Sequence, residues 1–240
     1  MKAVVTGHTR GLGAAIAAHL LSSGIPVLGL ARARNAELEK RFPALFQQVE
    51  LDLSDSASLA SWLAGDTLGK FLASCNTALL INNAATVQPV GSLESQDPLA
   101  VARAVALNVA APLMLANAVA IAGRGAADRR ILHISSGAGS HSLPSWSVYC
   151  ASKAALDHHA RTVAEDRTRA LRICSLAPGV IDTDMQAQIR ATTLEQFPLR
   201  EMFDAMKRDG QLSSPEECAK RVVDYLLSEK FGQEPVAALR

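Results

Sequence analysis

No stretch of this 240-residue chain reaches the ~18 uninterrupted apolar residues that a membrane span needs, although hydrophobic residues make up 49% of it. A soluble protein without a membrane partner is expected. The start also lacks a basic segment followed by an apolar core and a cleavage site, because Ala3 to Thr6 already reads as a strand, and a cytoplasmic location follows as the expectation. Cysteine is scarce: Cys75, Cys150, Cys174 and Cys218 show no Cys-x-x-Cys spacing, which argues against a zinc site or a disulfide frame and suits reduced thiols. Neither sign of charge dominates, with 24 Lys and Arg against 23 Asp and Glu, so there is no electrostatic footprint for nucleic acid. No Gly-x-Ser-x-Gly elbow surrounds Ser136, which speaks against a serine hydrolase. There is no internal repeat and no interdomain linker, and the length suits a single α/β domain over 1–240.

What is present is an alternation. Strand-like runs at 3–6, 27–31, 48–52, 78–82, 130–135 and 172–177 alternate with helical patterns at 12–22, 35–41, 56–64, 99–122, 146–166 and 215–228, with a last short strand at 235–239. Strands apolar on both faces and separated by helices predict a Rossmann-like, doubly wound parallel sheet. Pro198, Gly210 and two charged clusters interrupt the region 180–214, as expected of a segment that covers a substrate. The pattern at 99–122 carries only Arg103 as a charge, and a helix apolar nearly all round must be covered on more than one side. A second subunit or a sandwiched position inside the monomer would both do so.

The first strand runs straight into Thr6-Gly7-His8-Thr9-Arg10-Gly11-Leu12-Gly13 and then into an Ala-rich helix. Gly7 suits a tight turn, Gly11 lets backbone approach a diphosphate, and Gly13 allows close packing of helix on strand. The unpaired N–H groups of the helix that follows form an anion site. An NAD-selecting unit ends its second strand on an acid, whereas this one ends Leu30-Ala31-Arg32-Ala33-Arg34. Arg10 and Arg32 are therefore the expected clamp for the 2′-phosphate of NADP(H), with Arg34 as a lesser candidate.

Further on stands Tyr149-Cys150-Ala151-Ser152-Lys153, with Ser136 placed 13 residues before the tyrosine. On a helix the i, i+4 spacing puts phenol and ammonium on one face, so that Lys153 lowers the tyrosine pKa and Tyr149 can exchange a proton with a carbonyl or an alcohol. Ser136 would hold the same oxygen. Asn108 lies within the apolar helix, where an amide needs a partner. A helix-kinking or interface amide is the alternative there.

Together these motifs resemble the short-chain dehydrogenase/reductase family: Thr6 to Gly13, Asn82-Asn83-Ala84-Ala85 with Ala85 in place of a glycine, Asn108, Ser136, Tyr149 with Lys153, and Pro178-Gly179 with Thr183. The resemblance implies that Asn108, Ser136, Tyr149 and Lys153 are catalytic, Lys153 also bonding the nicotinamide ribose and Asn108 holding a water. It further implies cofactor contacts from Thr9, Leu12, Asp52, Leu53, Asn83, Ala84, Ala85, Pro178, Gly179, Ile181 and Thr183, and a homodimer or homotetramer. Read without the resemblance, Asp52 could instead cap the helix beginning near Ser54 to Ser56. Trp146 and the run from Pro178 to Gln186 are similar to the branch that holds sepiapterin reductase and benzil reductase, which implies NADPH-dependent reduction of a ketone or vicinal diketone. The tail Val236-Ala237-Ala238-Leu239-Arg240 has no acid to receive a pterin. The other readings are a pterin-like substrate and an idle NADP(H)-binding regulatory protein.

Overall fold

The computed structural model describes residues 1–239; Arg240, the end of the tail, lies outside them. The chain runs β1 (Lys2–Thr6), α1 (Gly11–Ser22), β2 (Val27–Ala31), α2 (Ala36–Arg41), β3 (Phe46–Glu50), α3 (Ser56–Leu63), α4 (Thr67–Leu72) and β4 (Thr77–Asn82). It continues through α5 (Pro98–Val105), a π-helical turn (Ala106–Ala110), α6 (Ala111–Ala122), β5 (Asp128–Ile134), α7 (Ser147–Glu165) and β6 (Leu171–Ala177), and ends with α8 (Asp184–Arg190), α9 (Arg200–Arg208), α10 (Pro215–Leu227) and β7 (Val236–Ala238). The seven strands lie parallel in the order β3-β2-β1-β4-β5-β6-β7. Every residue of β2 and β4 is buried, as a sheet covered on both faces requires.

One face packs on Ile16 and Leu20 of α1 with Val222 and Leu226 of α10. The other packs on Leu59, Phe71, Leu115, Val119 and Ala160, contributed by α3, α4, α6 and α7. Local chemistry sets the helix starts. The Asp55 carboxylate accepts from the N–H groups of Ala57 and Ser58 to begin α3, and Ser214 and Glu217 form a reciprocal capping box at Pro215. Asp52 therefore does not cap α3; it accepts from the N–H and hydroxyl of Ser54 instead.

Three local expectations are corrected. The segment 67–72 is a helix that the sequence pattern does not announce, because a six-residue piece containing Gly69 is too short to display a period. Strand β3 starts at Phe46, two residues before the expected Gln48. The expected helix 99–122 is interrupted by a π-helical turn, where the N–H of Ala111 reaches back to Ala106 and Pro112 has no N–H to offer the carbonyl of Asn108. The run Pro98–Ala122 is long and apolar enough to cross a membrane by length and composition, yet Leu115, Ala116 and Val119 are spent on the sheet core. Its outer side leaves Leu99, Val105 and Ile121 exposed.

The interrupted region 180–214 is an excursion with helices α8 and α9 in it. Its ends are tied together: Ser213 N–H donates to the Val180 carbonyl and Asp182 N–H to the Ser213 carbonyl. Ile189, Phe197 and Phe203 are buried, whereas Leu194 and Met202 are exposed.

Candidate active site

A cavity of about 1180 Å³ opens at the carboxyl ends of the strands, across the point where the strand order reverses between β1 and β4. Of the candidate catalytic and cofactor-binding residues named from the sequence, all line it except Asn108 and the lesser phosphate candidate Arg34.

At one end lies the glycine-rich turn. Gly7 has φ +70°, and a Cβ on Gly13 would stand 2.1 Å from the Gly7 carbonyl oxygen, so the sequence can carry nothing larger there. Arg10 occupies the N-cap of α1 with extended backbone, its side chain does not cap the helix, and the first turn holds no acid. The helix N–H groups are thus left for an anion. Asn83 steadies this turn by donating from its amide to the Thr6 carbonyl at 2.9 Å, while the Thr6 hydroxyl accepts from the N–H of both Asn83 and Ala84. Thr183 packs its methyl against Gly11. A second support, not seen in the sequence, is His8: it is fully buried behind the turn and paired with Gln48 at 2.9 Å, while Asn35 donates its amide to the His8 carbonyl.

The cations divide. Arg32 lines the cavity with Asp52 and Leu53, whereas Arg34 turns away to Glu39. Arg10 lines the cavity but pairs with Asp184 of α8 at 3.0 Å, both side chains about two-thirds exposed at 65% and 64%.

At the other end Tyr149 and Lys153 project from the buried face of α7. The Lys153 ammonium donates to the Ile134 carbonyl at 2.8 Å and lies 5.5 Å from the centre of the Tyr149 ring. Ser136 follows β5 in extended backbone, with its oxygen accepting from Ala138 N–H at 3.2 Å. Ser135 is committed elsewhere, donating to Asp157 at 2.7 Å, so of the adjacent pair only Ser136 faces the phenol.

Burial dominates both groups of the expected pair. Burial pushes the Tyr149 phenol up to about 12, with the Ser136 hydroxyl offsetting only part of it. Burial likewise drives the Lys153 ammonium down to about 8, with Asp157 pulling it partly back, and its donor is directed at a backbone carbonyl.

Asn108 lies inside the long apolar helix as expected, outside the cavity lining. Its amide accepts from Thr86 N–H at 2.9 Å and donates to the Thr86 carbonyl at 2.8 Å and to Ser152 at 3.2 Å. It sits in the π-helical turn and pins the 84–88 loop to α7.

Beside Tyr149 the cavity is walled by Trp146 and Phe203, with the buried Phe197 behind them. Trp146 stacks on Phe197 with ring centres 4.8 Å apart and planes 6° from parallel, Phe203 leans on both, and Tyr149 meets the indole edge-on. His141 lines the cavity but is exposed and turned to Gly137 and Ser140. Cys150 points its sulfur at the His141 carbonyl, and His159 pairs with His133 away from the site. No cluster of three His, Cys, Asp or Glu suited to a metal occurs among the described residues.

The chain matches the model of the short chain dehydrogenase family over residues 1–194. The chain belongs to that family. It is thereby an oxidoreductase of a class that uses nicotinamide dinucleotides on small molecules. It is similar to the benzil reductase ((S)-benzoin forming) of Bacillus cereus, with 34% identity covering 97% of this chain and 96% of that one. It is also similar to the sepiapterin reductase of Meriones unguiculatus, with 31% identity covering 95% and 92%. Among solved structures, a short-chain dehydrogenase/reductase from Burkholderia vietnamiensis is 47% identical with TM-score 0.74, covering 98% of this chain and 94% of that one.

Proposed function

We propose that this short-chain dehydrogenase is an NADPH-dependent reductase of ketones or vicinal diketones, with Tyr149 as proton donor. The observation that carries the proposal is the joining, in one cavity, of an uncapped helix terminus flanked by Arg10 and Arg32 with a Tyr149, Ser136 and Lys153 cluster whose lysine donates to the Ile134 carbonyl at the end of β5. The first end fits a dinucleotide. The N–H groups of α1 would hold the diphosphate and Arg32, helped by Arg10, the 2′-phosphate, while Ile181, Thr183 and Lys153 flank the nicotinamide end. When bound, the reduced cofactor supplies the two electrons of the reduction as hydride.

The chain's own residues do the rest. Ser136 orients the carbonyl oxygen and stabilises the charge growing on it, and Tyr149 transfers its phenolic proton to that oxygen. With a phenol pKa near 12 the proton is fully present at neutral pH, as a donor requires. Trp146, backed by the buried Phe197, and Phe203 line the cavity and favour an aryl or bulky aliphatic group beside the carbonyl. Ala238 and Leu239 line the cavity and bring no carboxylate, which favours a diketone over a pterin. The similarity to a benzil reductase supports the same substrate class. We further propose a homo-oligomer built on the exposed side of α5 and α6, and a cytoplasmic enzyme.

Following loss of NADPH absorbance with benzil, aliphatic diketones and sepiapterin tests the proposal. Turnover of a diketone that Tyr149→Phe abolishes is the expected result. NADPH binding without turnover of any carbonyl would leave the idle regulatory protein instead.

A further inference from the structure

Asp157 is the one buried carboxylate among the described residues, and it lies one helical turn beyond Lys153 on the buried face of α7. Its Oδ1 accepts two hydroxyl hydrogen bonds, from Ser135 at the end of β5 and from Ser175 on β6, both at 2.7 Å. The 137–139 turn is shaped around it. A Cβ on Gly139 would stand 2.5 Å from Asp157 Oδ2 and 3.3 Å from the Lys153 carbonyl carbon, so a glycine is required where the turn crosses both residues. A buried carboxylate with two donors is a poor choice for packing alone, since an apolar residue would need no partners. Lys153 poses the complementary problem: its ammonium is buried and its hydrogen-bond acceptor is the neutral Ile134 carbonyl.

We propose that Asp157 is a positioning residue for Lys153, a buried counter-charge anchored by Ser135 and Ser175 that keeps the lysine ammonium protonated and thereby sets the upper pH limit of the reaction. The proposal rests on the assignment of Tyr149 and Lys153 as the working pair. The remaining groups around Lys153 supply no negative charge at neutral pH. Tyr149 on α7 is a neutral phenol, and His133 on β5 is fully buried and pushed down to about 3 by burial, His159 beside it and Lys153. His159 is lowered by burial, and Ser136, Ser152, Ser175 and Asn108 do not titrate in this range. Burial has already brought Lys153 down to about 8, and Asp157 is the group that opposes the fall. Without it the ammonium would lose its proton within the working range.

Asp157→Asn removes the charge while leaving an oxygen for both serines. The test is a pH titration of the lysine side chains by NMR in ¹³C-lysine-labelled protein, with the Lys153 signal assigned by its loss in Lys153→Met. Its companion is the pH dependence of kcat for diketone reduction. The expected result is a Lys153 midpoint lower by at least one pH unit in Asp157→Asn, and a kcat down by about fivefold or more at pH 8 that recovers toward pH 6. An unchanged Lys153 midpoint and pH profile, with only the melting temperature lowered, would overturn the proposal and leave Asp157 as a strut. If Asp157→Asn does not fold, the same coupling is measured from the other side, because interaction between two titrating groups is mutual. The Asp157 carboxyl midpoint in Lys153→Met should then rise by at least one pH unit above the parent, and no rise overturns the proposal. Tyr149→Phe separates the two levels of inference: full turnover by that variant would sink the assignment of the working pair while leaving the measured coupling intact.

Discussion

Replacing Arg32 by Ala should cost affinity for NADPH and almost none for NADH. Arg32 lines the cavity beside Asp52 and Leu53 and is free to meet a phosphate there, whereas Arg34 is engaged by Glu39. A charge-assisted hydrogen bond contributes ~1.5 to 3 kcal/mol, so the NADPH dissociation constant should rise roughly 10- to 150-fold at ~1.4 kcal/mol per decade. Arg10 should matter less, because it must first leave Asp184, to which it is 3.0 Å away. Both partners of that pair are about two-thirds exposed, which limits it to ~0 to 1 kcal/mol, so Arg10→Ala should fall short of Arg32→Ala by up to about fivefold. By the same reasoning Asp184→Asn frees Arg10 and should tighten NADPH by up to about fivefold. Fluorescence titration of each variant with both cofactors, at one salt concentration, reads these numbers. If Arg32→Ala weakened NADH as much as NADPH, the arginine would be acting on the adenosine or the fold and the clamp would be refuted.

Tyr149→Phe should keep NADPH affinity within about twofold and lose ~10²- to 10⁴-fold in kcat, the usual worth of a general acid; near-parent turnover of a diketone would contradict the assignment. His133 is held neutral when folded, with its pKa pushed to about 3, while the unfolded chain takes up the proton near 6.5. Stability should therefore fall as pH drops below ~6.5, by up to ~1.4 kcal/mol per pH unit from this residue, and urea titrations of His133→Asn should show that slope removed. Hydrogen exchange across 185–205 should slow on adding NADPH and a diketone analogue if the segment covers the substrate; strong protection already present in the free protein and unchanged by ligand would mean a permanent wall.

The fold was legible because its signals are periodic. Fully apolar strands such as Val27–Ala31 and Thr77–Asn82, set between amphipathic or Ala-rich helices, admit few arrangements other than a parallel sheet. The glycine-rich turn was legible for a steric reason, since Gly13 stands where no other residue fits. What escaped had no period or depended on partners distant in sequence. α4 is six residues long, α8 and α9 are separated by an irregular link, and the π-helical turn shows only in which N–H reaches which carbonyl. The i, i+4 spacing of Tyr149 and Lys153 shows which face the lysine occupies and not where its ammonium points. Here the ammonium has turned to Ile134. Asp157 was within reach of the same spacing argument, one turn beyond Lys153, but its partners Ser135 and Ser175 come from two different strands.

The charges of the site favour one direction of reaction. Burial pushes the Tyr149 phenol up to about 12 and the Lys153 ammonium down to about 8, which keeps the proton on the phenol oxygen at neutral pH. Reduction needs that stored proton, because the oxygen of a carbonyl receiving hydride becomes an alkoxide, far more basic than any phenol. Oxidation of an alcohol needs the phenolate instead, which a buried phenol resists until the pH is high or a cation draws near. Moving the Lys153 ammonium from the Ile134 carbonyl toward a bound ribose would change which groups it stabilises, and with them the balance between the two directions. The enzyme should therefore reduce carbonyls well at neutral pH and oxidise alcohols only toward alkaline pH. Equal rates in both directions at pH 7 under matched driving force would show that the free-protein charges do not govern the reaction.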